Sequence, residues 1–212
     1  MKKYEYILLD WDGNLAKTLD IWLDAVRNVM EEHGIHKSDS EIGASFGQIV
    51  KHFEEWGLAD PWAAFVDADR MAKRMLPEVE LYPDALIVLS ELHKAGKHLA
   101  LITTSPRENV EHLLEKYELR QIFETVITGD DVTQHKPHPE PLEKALAELG
   151  GSKELAVMIG DSGNDLGAAQ SFGVDSILFF PEEHHKFYDY KVLCALKPTH
   201  VVDDFKRVLE VV

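Results

Sequence analysis

The sequence predicts an α/β fold, a parallel β-sheet with helices on both faces and a helical insert after the first strand. Two observations carry this. Short apolar runs alternate with stretches of helical periodicity along most of the 212 residues, the pattern of βα units in a sheet buried on both sides. The alternation is then interrupted once, early in the chain, where apolar residues recur only at helical spacing.

The first strand is expected at 6–9 and breaks into the turn Gly13-Asn14. In the interruption, Leu19, Trp22, Leu23, Val26, Val29 and Met30 form one helical stripe. Phe46, Ile49, Val50 and Phe53 form a second, and Trp62, Phe65 and Val66 a third after the helix start Asp60-Pro61. The stripes are expected to be the inner faces of a helical subdomain over 16–82, with 1–15 and 83–212 forming the core. Ligands of open α/β sheets bind beyond the carboxyl ends of the strands, and an insert leaving from there is placed as a lid. Further strands are expected at 98–103, 125–128, 156–159, 176–179 and 200–202, with helices at 84–95, 107–117, 140–149 and 166–172.

Composition narrows the function. Hydrophobic residues make up 45% and charged residues 28% of the chain, ordinary for a soluble domain. A net charge of -16 argues against a nucleic-acid partner, which would call for a basic face. The single Cys194 excludes an internal disulfide, suits a reducing compartment and reads as a small buried hydrophobe. The start Met1-Lys2-Lys3-Tyr4-Glu5 shows no signal-peptide core, and no apolar run approaches the roughly 20 residues that cross a bilayer. A cytoplasmic protein with no membrane partner is expected.

The chemistry lies at strand ends. Asp10 and Asp12 follow the first strand, and Asp161 and Asp165 follow the strand at 156–159 within Gly160-Asp161-Ser162-Gly163-Asn164-Asp165. Each stretch also reads as plain structure, an Asp-Gly turn and a capped helix start. Together, four carboxylates at strand mouths call for a hard divalent cation with oxygen ligands and for an anionic reacting group. Asp10 suits a nucleophile or metal ligand, and Asp12 suits a general acid/base. Thr103-Thr104-Ser105-Pro106 precedes a helix, where hydroxyls and free N–H groups cap the helix or hold a phosphate-sized anion. Lys136, ahead of Pro137-His138-Pro139, is either a solvent-exposed loop charge or the cation that neutralises a carboxylate and a transferring phosphate.

In that order and at βα-unit spacings, these residues resemble the haloacid dehalogenase-like superfamily of hydrolases. The matches are Asp10-Trp11-Asp12-Gly13, Thr103, Lys136, and Gly160-Asp161 through Asp165. The resemblance spans nearly the whole chain and is greatest to the phosphoglycolate phosphatase and β-phosphoglucomutase branch. It implies a Rossmann-like core with an α-helical cap and a Mg²⁺-dependent phosphatase acting on a small phosphorylated metabolite through an aspartyl-phosphate. Asp10 would be the nucleophile and Asp12 the acid/base. Mg²⁺ would be held by the Asp10 side chain, the Asp12 backbone carbonyl and Asp161, with Asp165 supporting its waters or Lys136. Thr103, the Thr104 amide and Lys136 would grip the phosphoryl oxygens.

The chain departs from the family pattern at Asn14, where a Thr is usual, and at Lys17, which replaces an acidic residue. The first change is expected to alter rate rather than abolish chemistry. Lys17 is either a surface charge or a contact to an anionic substrate tail. Retention of Asp12 argues against dehalogenation, since a halide needs no proton to leave. Two alternatives stay open. A phosphomutase would need a second phosphate clamp, and the loop Ile42-Gly43-Ala44-Ser45-Phe46-Gly47-Gln48 has no cation before Lys51. An inactive binding module is the other. His184-His185 lacks a third ligand at useful spacing and is expected to be a solvated loop. The surrounding segment, 181–198, either packs on the core or forms an interface.

Overall fold

The computed structural model describes residues 4–212. Their sheet has six parallel strands, β1 (Tyr6–Leu9), β2 (His98–Ile102), β3 (Thr125–Ile127), β4 (Ala156–Gly160), β5 (Asp175–Phe179) and β6 (His200–Val202), in the order β3-β2-β1-β4-β5-β6. Successive side chains of a strand point to opposite faces, and in these strands both sets are apolar. Ile7, Leu9, Leu101 and Ile159 join a cluster with α5 (Ala85–Lys94) and α6 (Arg107–Lys116). Leu8, Ile102 and Met158 join another with α7 (Glu140–Glu148) and α8 (Gly163–Phe172). The predicted α/β fold and its strands are thereby found, with boundaries shifted by at most one residue.

The interruption holds four helices, α1 (Leu19–Glu32), α2 (Asp39–Ala44), α3 (Ile49–Glu55) and α4 (Pro61–Ala72). Leu23, Val26, Met30, Ile42 and Phe53 form their shared core. Two of the starts have a local cause. Ser38 and Glu41 make a reciprocal capping box on α2, and the Asp60 carboxylate accepts from the Ala63 N–H ahead of Pro61 on α4. The outgoing and returning segments lie side by side. Lys17 N–H donates to the Glu80 carbonyl at 3.0 Å and Tyr82 N–H to the Leu15 carbonyl at 2.9 Å.

Three expectations fail here. The third stripe is not an inner face. In α4 the buried residues are Ala64, Ala68 and Ala72, while Trp62 is 64% exposed and Val66 40%. Small residues let α4 approach its neighbours closely, and of the stripe only Phe65 packs in part against the helical core. His184 is not solvated but wholly buried, its ring edge-on to Tyr82, Phe179 and Phe180 and bonded to the Tyr82 hydroxyl at 2.8 Å. His185 does stay exposed. Finally, the helical core is not made by residues 16–82 alone. Phe187, from the segment after β5, is buried in it, with Gly43 so close that a Cβ there would sit 2.3 Å from the Phe187 carbonyl oxygen.

Candidate active site

The strand order brings the two acidic pairs together. β1 and β4 are neighbours, with Leu9 opposite Ile159, so Asp10 and Asp161 leave the sheet side by side. Asp10 N–H continues the ladder to the Ile159 carbonyl at 2.9 Å. β2 flanks β1 on the other side and delivers Thr103, while the loop after β3 carries Lys136 back beneath them. Oxygens of Asp10, Asp161 and Asp165 lie within 4.8 Å of one another, all three residues buried.

Lys136 is the cation of this cluster. Its Nζ donates to Asp10 Oδ1 at 2.6 Å, to Asp165 Oδ1 at 2.6 Å and to the Ile102 carbonyl at 3.0 Å. It is therefore not a solvent-exposed loop charge. Burial works against the ammonium, but Asp10 and Asp165 outweigh it and hold the pKa above its ordinary value. Asp165 is occupied on both oxygens, since Oδ2 accepts from Ser162 N–H at 3.1 Å and Ser162 Oγ at 2.6 Å. The helix cap of α8 thus also fixes Lys136.

Ionised together, the three carboxylates would leave two net negative charges against one ammonium in a buried site. Burial, then repulsion from Asp165, pushes Asp10 up to about 8, with Lys136 offsetting part of it. Burial and the charges of Asp165 and Asp10 likewise raise Asp161 well above the carboxylate range, with the Tyr188 hydroxyl pulling the other way. Asp161 Oδ2 is buried with no hydrogen-bond partner. Gly13, at φ +75°, leaves the space beside it open, because a Cβ there would lie 2.3 Å from that oxygen. An unpartnered buried oxygen, carboxylates that repel one another when ionised and an all-oxygen donor set suit a hard divalent cation.

Asp12 stands apart from that cluster. Its Oδ2 accepts from Ser105 Oγ at 2.7 Å and Thr103 Oγ1 at 3.2 Å, and its Oδ1 from Trp22 Nε1 at 3.3 Å. Thr103 is buried, and its Oγ1 also accepts from Ser105 N–H at 3.0 Å, so this hydroxyl serves Asp12 and the loop. Thr104 and Ser105 line the cavity above. Asn14 does not reach the Asp12 carboxylate; its Nδ2 donates to the Asp10 carbonyl at 3.1 Å. Lys17 reads as a surface charge. It lies 3.8 Å from Glu183 and 5.2 Å from the Tyr82 ring centroid, outside the cavity lining.

The cavity has a volume of about 1120 Å³. Its floor holds Asp10, Asp12, Lys136 and Asp161, and its far wall comes from the helices inserted after β1, with Trp22, Phe46 and Phe65. Four contributors were not singled out in the sequence. Ser105 was visible as a third hydroxyl at the helix start. Trp22 was hidden in an apolar stripe because its ring packs while its N–H faces Asp12. Asn164, an unspecified position between two acids, donates to the Phe46 carbonyl at 2.8 Å and accepts from Gln48 Nε2 at 3.1 Å. Tyr188 lines the cavity beside Asp161 and left no local signal at all.

Comparison with known proteins agrees with this geometry. A Bacillus mycoides (strain KBAB4) protein named pyrophosphatase PpaX is 35% identical over 214 residues, covering 99% of this chain and 97% of that one. A Salmonella typhi phosphoglycolate phosphatase is 37% identical over 131 residues, covering 61% of this chain and 50% of that one. Among solved structures, CbbY from Rhodobacter sphaeroides in complex with phosphate shares the fold, with a TM-score of 0.77 at 24% identity over 97% of this chain and 96% of that one. Residues 7–179 match the family model for haloacid dehalogenase-like hydrolase. The chain belongs to the haloacid dehalogenase-like hydrolase family.

Proposed function

We propose that the protein is a Mg²⁺-dependent phosphatase that hydrolyses a small organic phosphomonoester through an aspartyl-phosphate on Asp10. The observation that carries this reading is the division of labour between the two acids of the first loop. Asp10 shares Lys136 with Asp165 in the buried carboxylate cluster, whereas Asp12 is held by hydroxyl and indole donors at the cavity wall.

In the first step the Asp10 carboxylate attacks phosphorus, and the bond to the leaving oxygen breaks as Asp12 gives that oxygen its proton. In the second, Asp12 takes a proton from water, the water oxygen attacks phosphorus, and the Asp10–phosphorus bond breaks to release inorganic phosphate. Lys136 holds Asp10 in place and neutralises charge, and Thr104 and Lys136 would grip the phosphoryl oxygens. Thr103, read from the sequence as a third phosphate contact, instead holds Asp12 together with Ser105. Asp10, Asp161 and the Asp12 backbone carbonyl would hold Mg²⁺, with Asp165 acting through Lys136. When bound, the ion would supply charge neutralisation and a template for in-line transfer. Residues 16–82 would serve as the cap, hinged where 15–17 meets 80–82. A second reading, hydrolysis of pyrophosphate, is favoured by the relative named pyrophosphatase PpaX that covers nearly the whole chain.

Phosphate release from p-nitrophenyl phosphate tests the proposal. Release should require Mg²⁺ and fall by at least a thousandfold in Asp10→Asn, while Mg²⁺ raises the Tm of the wild-type protein and not of Asp161→Asn. Turnover that survives chelation or the Asp10 change would sink it, and pyrophosphate in the same assay decides the second reading.

A further inference from the structure

The cavity above the carboxylates is far larger than a phosphoryl group, and its outer wall is aromatic. Resting on the phosphatase reading above, we propose that the substrate is a phosphomonoester whose leaving group carries an aromatic ring, as in a nucleoside monophosphate, and that this ring stacks on Trp62.

The argument starts on α4. That helix packs inward through Ala64, Ala68 and Ala72, with Phe65 partly packed against the same core, and keeps Trp62 off its buried face. Both rings line the cavity that holds the carboxylates, with centroids 5.6 Å apart and planes tilted by 39°. Isolated exposed hydrophobic side chains are common and need no explanation. Trp62 differs from Val192, Met75 and Ile87, the other strongly exposed ones of similar degree, because they lie away from this cavity.

The wall is continuous with the chemistry. Phe46 and Trp22 line the same cavity as Trp62, and Trp22 Nε1 donates to Asp12 Oδ1 on its floor. A leaving group whose ester oxygen receives its proton from Asp12 therefore departs along an aromatic surface. Size points the same way. Ligand cavities of roughly 300–1,000 Å³ enclose drug-sized molecules, and this one measures about 1120 Å³. A two-carbon acid or a second phosphate would leave most of it to water and would make no use of the exposed indole. A planar ring fills the space and pairs with an indole face by stacking.

Steady-state phosphate release by the intact protein with Mg²⁺ tests this on five compounds. Adenosine 5′-monophosphate and pyridoxal 5′-phosphate carry a ring, and ribose 5-phosphate, phosphoglycolate and pyrophosphate do not. At least one ring-bearing ester should exceed ribose 5-phosphate in kcat/KM by about tenfold or more, chiefly through KM, the size expected of one stacking contact. Trp62→Ala should narrow that ratio by most of the same factor, and Trp62→Phe should restore part of it. Trp62 is exposed, so a folding defect is not expected, and circular dichroism checks it. The proposal is overturned if a ring-free compound matches or exceeds both ring-bearing esters, or if Trp62→Ala lowers all five alike. Absence of Asp10-dependent release from every compound would instead remove the phosphatase reading, and this inference with it.

Discussion

Asp12 shows how much of a site depends on groups that do not touch the reacting atoms. Its carboxylate is gripped by Ser105, Thr103 and Trp22, donors from the loop after β2 and from α1. The Ser105 contact is the shortest of the three, at 2.7 Å. A hydrogen bond to a charged group contributes about 1.5–3 kcal/mol, so Ser105→Ala should lower kcat by about tenfold while KM moves by less than about threefold. An unchanged kcat would mean that Trp22 and Thr103 suffice to aim Asp12. Asn14, the departure from the family pattern, acts on the backbone instead, through the Asp10 carbonyl. The motif was legible from residue identity alone, but which acid met the lysine and which met the hydroxyls was not.

At the scale of elements, the segment after β5 does the least expected work. It runs as a 3₁₀ turn over Glu182–Lys186 into α9 (Tyr190–Ala195). On the way it buries His184 in the core, inserts Phe187 among the helices of the insert, and lines the cavity with Tyr188. Burial holds His184 down to about 3, from 6.5. Between those values the unfolded chain binds a proton that the folded chain refuses, so this residue's contribution to stability is present above about 6.5 and is lost as pH falls toward 3. The slope approaches ~1.4 kcal/mol per pH unit for one such group. His184→Gln keeps a partner for Tyr82 and should show a shallower fall in Tm than wild type between pH 6 and pH 4. Parallel Tm curves would assign the acid limb to other groups. Sequence reasoning left this segment open between packing and an interface and read His184 as solvated, because His, Glu and Lys favour solvent, while burial here is imposed by distant aromatic neighbours such as Tyr82 and Phe53's cluster.

Across the whole molecule, the inserted helices and the sheet domain meet around the cavity, and polar contacts join them. Asn164 at the start of α8 binds both Phe46 and Gln48. Asn109 Nδ2 on α6 donates to Asp69 Oδ1 on α4 at 3.0 Å, and Lys73 pairs with Glu108 beside it. If residues 16–82 close over substrate as proposed, Asn164→Ala should raise KM about fivefold, as expected for the loss of roughly 1 kcal/mol of hydrogen bonding. The Mg²⁺-induced Tm shift should persist, since Asn164 is not among the carboxylates. Unaltered KM with several substrates would separate this contact from closure.

The sequence by itself determined the α/β class, the strand positions and the acids, hydroxyls and lysine of the site, because these follow from local patterns of apolar runs and strand-end residues. Only the tertiary structure decided that β1 lies between β2 and β4, and that order is what sets Asp10 beside Asp161 and Thr103 beside Asp12. It also decided which large side chains were buried. Helical periodicity marks a face without saying what covers it, so Trp62 was left open over the cavity while His184 and Phe187 were carried inside by contacts with residues more than a hundred positions away.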